Sequence, residues 1–174
     1  MKDGVKKLNS GWTLAEFVIA CTIVIILASI TLTYFEGARQ KARDAQRRTD
    51  LKRLALALDL YYNANQSFPS TSGAWWANCS SSAGGPHGTS GATGWIPNLA
   101  PTYIGVLPLD PKTLNPNGCY WYRSDGINYK IEAYGTIESI CPVPTTDTMY
   151  NSVDQGGPTG CTFSQYTAGA ASWN

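Results

Sequence analysis

Charge is scarce in this chain. Charged residues make up 14% of 174, and the net charge is +1. No basic excess is available to hold nucleic acid. Histidine is rarer still: His87 is the only one, and it sits in a Gly-Pro-His-Gly loop. A single histidine leaves no nucleophile–base pair to assemble. No phosphate-cradling glycine motif and no paired carboxylates at helical spacing occur in the C-terminal part. No cysteine pair has CxxC spacing either, which disfavours a zinc site. These absences point away from an enzyme and away from a cofactor or metal.

What is plentiful is Gly, Ser, Thr and aromatic side chains, a composition suited to a loop-rich extracellular surface. Of the five cysteines, Cys21 lies in an apolar run and reads as packing. Cys79, Cys119, Cys141 and Cys161 form an even set, read as two disulfides with zinc as the rival. Three pairings are open. Nearness in sequence favours Cys79 with Cys119 and Cys141 with Cys161.

The apolar run extends from Trp12 to Phe35. As a helix it spans about 36 Å, enough to cross a bilayer with some tilt. Lys2, Lys6 and Lys7 precede it, so the positive-inside rule keeps this end cytoplasmic. Glu16 interrupts the run near its start. A carboxylate in a membrane segment costs about 2.5–3.5 kcal/mol at the helix centre, so it calls for a cation partner. The alternative is a side chain that snorkels to the nearby interface.

The helical pattern continues past the run. No proline occurs from Glu36 to Asn65, and apolar or small residues recur at Ala38, Ala42, Ala45, Thr49, Leu51, Leu54, Leu58 and Tyr61 or Tyr62. Asn63–Ser67 followed by Pro69 marks the stop. This predicts one helix of about 50 residues, near 80 Å long. Residues 70–105 read as an irregular loop with at most a short helix. Asn115–Pro116–Asn117–Gly118 reads as a turn. Cys119–Arg123 and Ile127–Tyr134 read as an antiparallel hairpin around Ser124–Asp125–Gly126, with Tyr129, Ile131 and Ala133 inward and Lys130 and Glu132 outward. Gly135–Ile140 is a candidate further strand, and the tail from Cys141 is expected to be coil held by a disulfide. The class expected is α+β. Trp75, Trp76 and Trp95 in a polar loop are candidates for a contact surface. Ser80–Ser82 and Thr89–Ser90 could carry sugars.

Charge is polarised along the chain. Residues 36–53 hold seven basic and three acidic side chains, a net of +4. Residues 54–174 hold three basic and seven acidic, a net of −4. A basic stalk and an acidic head suit staggered contacts between copies, with Arg47 and Arg48 as the test positions. A solvated face with a lipid-headgroup belt is the alternative.

Gly11, then Trp12–Thr13–Leu14–Ala15–Glu16–Phe17, resembles the processing site and apolar start of type IV pilins. Ala42–Arg53, Leu58–Asn65 and Phe68–Pro69 resemble the pilins near the major pseudopilins of type II secretion. The resemblance is specific across residues 8–69 and loose beyond. It departs from the family at Trp12, where phenylalanine is usual, at Ser10, and in lacking the proline that often kinks the helix. The pseudopilin calcium loop has no recognisable counterpart, since Asp147 and Asp154 lack ligand spacing and read as surface aspartates.

The resemblance implies the type IV pilin fold: a long N-terminal helix on a small antiparallel sheet, with a disulfide-stapled C-terminal region. It implies a leader, residues 1–11, cut by a prepilin peptidase between Gly11 and Trp12, whose new amine is N-methylated. Residues 12–35 become the membrane and filament-core segment, 36–69 an amphipathic half-helix, and 70–174 the head. Glu16 pairs with the Trp12 amine of its own or a neighbouring subunit during polymerisation. The implied partners are further copies of the chain, the peptidase, the membrane before assembly, an inner-membrane assembly platform with its ATPase, and surface or host-cell contacts. The first functional expectation is an extracellular type IV pilus subunit serving adhesion, motility or DNA uptake. A major pseudopilin and a non-polymerising membrane-anchored binding protein are the alternatives. The loosest helical turns are expected between Ile25 and Thr33, where Ser29, Thr31 and Thr33 can bond their own backbone.

Overall fold

The computed structural model describes residues 11–79, 85–112, 119–153 and 161–173, without the side chains of 30–34. The leader before Gly11, Ser80–Ser82, Asn115–Gly118 and Asp154 lie outside the described residues. The chain divides into two compact units, Met1–Arg39 and Gln40–Asn174. One helix, α1, runs Leu14–Asn65. It is helical throughout, including the stretch expected to be loose in a filament.

In the first unit the described apolar side chains of α1, from Leu14 to Leu27, are exposed with few exceptions. Among the described residues no helix is long and apolar enough to cross a membrane. The span expected over 12–35 includes the undescribed side chains 30–34.

The second unit carries a four-stranded antiparallel sheet in the order β1-β2-β3-β4. The strands are β1 Trp76–Ala77, β2 Tyr120–Ser124, β3 Tyr129–Ala133 and β4 Phe163–Tyr166. The hairpin β2–β3 forms where the alternation places it, with Tyr122 opposite Ile131. The fourth strand does not come from Gly135–Ile140, which is irregular. It comes from Phe163–Tyr166 in the tail expected to be coil, pairing beyond β3. Its Phe163 is fully buried, and one such anchor gave too little alternation to read in sequence.

The core lies between one face of α1 and one face of the sheet. Leu51, Leu54, Ala57 and Leu58 pack with Tyr120, Tyr122, Ile131, Ala133 and Phe163, joined by Trp95, Leu99 and Leu107 from the long loop. The helical stripe expected over Ala38–Tyr62 is in fact two faces. Ala38, Ala42, Ala45 and Thr49 are exposed, while the buried face continues upstream of Leu51 through Asp50, Arg47 and Asp44. Polar residues occupy buried positions there, so a pattern of apolar residues alone slips onto the wrong face.

The outer face of the sheet is not solvated as expected. Lys130 and Glu132 are buried, and they pair at 3.1 Å. A 3-10 turn, Ala168–Ala170, precedes Trp173. The Lys130 ammonium donates to the Trp173 carbonyl, and the Arg123 guanidinium lies 5.1 Å from the Trp173 ring. Gly169 permits this docking: a Cβ there would come within 2.4 Å of Asn128 Oδ1.

Two disulfides close the long connections, Cys79–Cys119 with Cα atoms 6.0 Å apart and Cys141–Cys161 at 5.0 Å. At these loop lengths each constrains the unfolded chain by about 3–4 kcal/mol.

The helix ends through Gln66, whose φ of 55° is left-handed, with its N–H donating to Tyr62 O at 2.7 Å. Phe68 then turns back onto Tyr129, ring centroids 4.7 Å apart. A side chain bearing a Cβ is strained at this position and glycine is not. Gln66→Gly is expected to raise unfolding stability by about 0.5–1 kcal/mol. Urea denaturation of the full chain in detergent checks this, and a loss of stability would show that the Gln66 side-chain bond to Asn63 O outweighs the strain.

Candidate assembly site

The start of α1 is built by Thr13. Its hydroxyl accepts from the Glu16 N–H at 3.2 Å, and Glu16 Oε2 accepts in return from Thr13 N at 2.8 Å and Thr13 Oγ1 at 2.9 Å. This reciprocal capping box satisfies helix-terminal donors that would otherwise lack partners. Thr13-Leu14-Ala15-Glu16 has the S/T-x-x-E spacing, so the signal was present in the sequence. Glu16 Oε1 takes no hydrogen bond among the described residues. Gly11, Trp12 and Glu16 are all exposed. The carboxylate therefore has a local capping role carried by one of its two oxygens.

The second cluster lies within the head unit, where the basic segment meets its acidic partners. Arg47 is fully buried. Its guanidinium grips Asp110 with two bonds, Nε to Oδ2 at 2.7 Å and Nη2 to Oδ1 at 2.9 Å. Nη1 reaches Asp44 at 2.8 Å and Glu138 at 3.1 Å. Arg43 makes a two-bond pair with Glu138 at 2.7 Å each, and Lys112 adds a fourth contact to it at 3.0 Å. Asp44 also accepts from the Glu138 and Ser139 N–H groups and the Ser139 hydroxyl. Beside this group, the Tyr120 hydroxyl donates to Asp50 at 2.9 Å.

The electrostatics follow from this packing. Burial alone would lower the Arg47 guanidinium. The hydrogen bonds and charge of Asp110, with Glu138 and Asp44, outweigh it and raise the group. Hydrogen bonding from Arg43, then Lys112 and Arg47, holds Glu138 down at about 2. Arg48 likewise lowers Asp147, whereas burial raises Asp50.

These contacts correct the staggered-contact expectation for three of the seven basic residues. Arg43, Arg47 and Arg48 are engaged by the chain's own Glu138, Asp110, Asp44 and Asp147. Arg39, Lys41, Lys52 and Arg53 remain exposed. Trp95 is corrected too, because it is fully buried in the core. Trp75 and Trp76 are half-buried, with Trp76 stacked on His87 at 4.1 Å.

A long N-terminal helix whose outer half packs on an antiparallel sheet defines a type IV pilin fold. Comparison with known proteins places it more narrowly. The chain is similar to the type II secretion system core protein G of Klebsiella pneumoniae, 32% identical over 101 residues, covering 58% of this chain and 67% of that protein. The protein of the same name from Pseudomonas aeruginosa is 28% identical over 129 residues, covering 74% and 83%. That from Aeromonas hydrophila is 35% identical over 66 residues, 38% of this chain and under half, 46%, of the relative. No family model and no solved structure matches the chain. The chain belongs to the family of type II secretion system core protein G, close to the major pseudopilins among the type IV pilins.

Removing the central cation leaves three carboxylates facing one another. Arg47→Met is expected to cost about 3–5 kcal/mol of stability, against about 0.5 or less for exposed Arg53→Met. Equal effects in urea denaturation would show that the cluster contributes nothing.

Acid should unfold the head through the same groups. Glu138 and Asp147 have folded values below their unfolded ones, so their stabilisation is present above the unfolded value and lost as pH falls through the folded one. Asp50 has the opposite sign and partly offsets them. Stability should fall between about pH 5 and pH 2, and Glu138→Gln should flatten that dependence. Thermal melts across this range provide the check.

Proposed function

We propose that this chain is a structural, non-enzymatic subunit that is cut after Gly11, anchored in the cytoplasmic membrane by its apolar helix, and polymerised into a pseudopilus of the type II secretion class. The observation that carries the reading is the exposed apolar helix headed by Glu16, capped at Thr13 and with Oε1 unengaged. Exposed apolar side chains at Phe17, Ile19, Ile23 and Ile26 need lipid or other helices around them, and a filament core supplies the latter. The Trp12 amine created by cleavage is the cation expected for Glu16, and its methylation leaves the charge in place.

The N-terminal residues alone put a surface pilus first. The named relatives support the pseudopilin ahead of it, with self-assembly on a membrane platform as the common element. Imaging of sheared filaments separates the readings. Short filaments seen only on overexpression support the pseudopilin, long surface filaments the pilus, and none the plain anchor.

Glu16 can be tested apart from its capping role. Glutamine also serves at this capping-box position but carries no charge. Glu16→Gln should be processed normally and yet lose at least about tenfold in filaments, as expected for loss of a charge pair of about 1.4 kcal/mol or more. Thr13→Ala should weaken the cap by about 1 kcal/mol and, with the backbone N–H bond to Oε2 retained, cost fewer filaments than Glu16→Gln does. Wild-type filament yield from Glu16→Gln would overturn the charge-pair role.

A further inference from the structure

Major pseudopilins carry a calcium-binding loop, and the corresponding general region of this chain holds Asp147 and, outside the described residues, Asp154. The described residues do not fit a calcium ion. Calcium takes about six to eight oxygens at about 2.3–2.6 Å. Both Asp147 carboxylate oxygens are already engaged: Oδ1 accepts from Arg48 Nη1 at 2.9 Å and Oδ2 from Arg48 Nη2. Oδ1 also accepts from Met149 N at 2.9 Å, and the Asp147 carbonyl accepts from Tyr150 N at 3.1 Å. Among the described residues no three His, Cys, Asp or Glu side chains gather into a metal-binding group.

We propose that Arg48 takes the place of calcium as the cation that holds this loop. The position is a built one. The flat guanidinium face lies 3.9 Å from the centre of the Phe163 ring, which is fully buried in β4. Its edge carries the two-bond pair with Asp147. Met149, two residues on, is fully buried, and its carbonyl accepts from Ser164 N at 2.9 Å. Arg48 thus joins α1, the loop and β4 through one side chain. The Cys141–Cys161 bond closes the same loop at its base. A dication brought to Asp147 would have to displace this guanidinium and meet its positive charge. The arginine belongs to the chain and is always charged, so the loop is held at any calcium concentration.

The test uses the full chain in detergent micelles with its disulfides intact. Thermal melts in excess calcium chloride and in EDTA should agree within about 1 °C, whereas an ion at about a hundred times its Kd would raise Tm by several degrees. Calorimetric titration with calcium should show no saturable binding. Arg48→Ala and Asp147→Asn should each lower Tm by about 3–6 °C and open the 141–161 loop to protease, and the double variant should lose little more than either single one. Arg48→Lys, charged but unable to make the two-bond pair, should fall between. A drop in Tm with EDTA, saturable calcium binding by the wild-type chain, or fully additive losses in the double variant would each overturn the proposal.

Discussion

The head depends on a buried arginine. Arg47 has no solvent to stabilise its charge, and its cluster is balanced: Arg43, Arg47 and Lys112 against Asp44, Asp110 and Glu138. Each carboxylate comes with a segment of chain attached. Asp110 brings the end of the long loop, and Glu138 brings the connection after β3. Asp44 lies one helical turn before Arg47 and ties down the backbone at Glu138 and Ser139. Hydrophobic packing presses the sheet onto α1 without specifying position along the helix. The two-bond Arg47–Asp110 contact does specify it, because a guanidinium fork accepts a carboxylate in one plane and at one height. Desolvation makes such pairs weak contributors to net stability, so this cluster is best understood as fixing register.

That use of charge changes what the polarised sequence means. A +4 segment beside a −4 segment reads as complementarity between copies, yet its central members are satisfied inside one copy. What remains exposed on the helix is Arg39, Lys41, Lys52 and Arg53. On the acidic side Asp59 and Asp125 remain exposed, and the Asp125 carboxylate already accepts from the Ile127 and Asn128 N–H groups at its turn. Pairs of this exposed kind are worth about 0–1 kcal/mol each. Charge can therefore tune contacts between copies, and cohesion has to come from apolar surface.

The helix, the β2–β3 hairpin and the two disulfide pairings were legible in sequence, because each rests on local spacing: helical period, strand alternation around Asp125–Gly126, and short cysteine separations. Three features were not. Phe163–Tyr166 becomes a strand only because β3 offers it an edge, which is a non-local fact. Lys130 and Glu132 alternate as outward residues should, but they pair with each other, and the Trp173 carbonyl, far along the chain, takes the Lys130 ammonium. Asp44 and Arg47 occupy buried positions that composition assigns to solvent. Hydrophobic pattern reads partners of one kind, and buried ion pairs are invisible to it until both members are in place. At the helix start, the Thr13–Glu16 cap carries its motif in the sequence, since both members lie within one turn.

The cap and the charge are compatible roles, and together they explain why glutamate suits this position. A glutamine would cap equally well and would be cheaper in lipid, so capping alone does not call for a carboxylate. A carboxylate that served only as an assembly contact would not need a threonine three residues before it. With both present, Thr13 donates two hydrogen bonds to Oε2 and holds the side chain at the helix start. Those bonds restrict the rotamer freedom that a free glutamate would lose on pairing, a loss of up to about 2 kcal/mol for such a side chain. They also stand in for part of the hydration that the charge loses in apolar surroundings. On the proposed reading, an amine created by cleavage would meet a carboxylate that Thr13 already holds in place, and processing and assembly would then share one preorganised side chain.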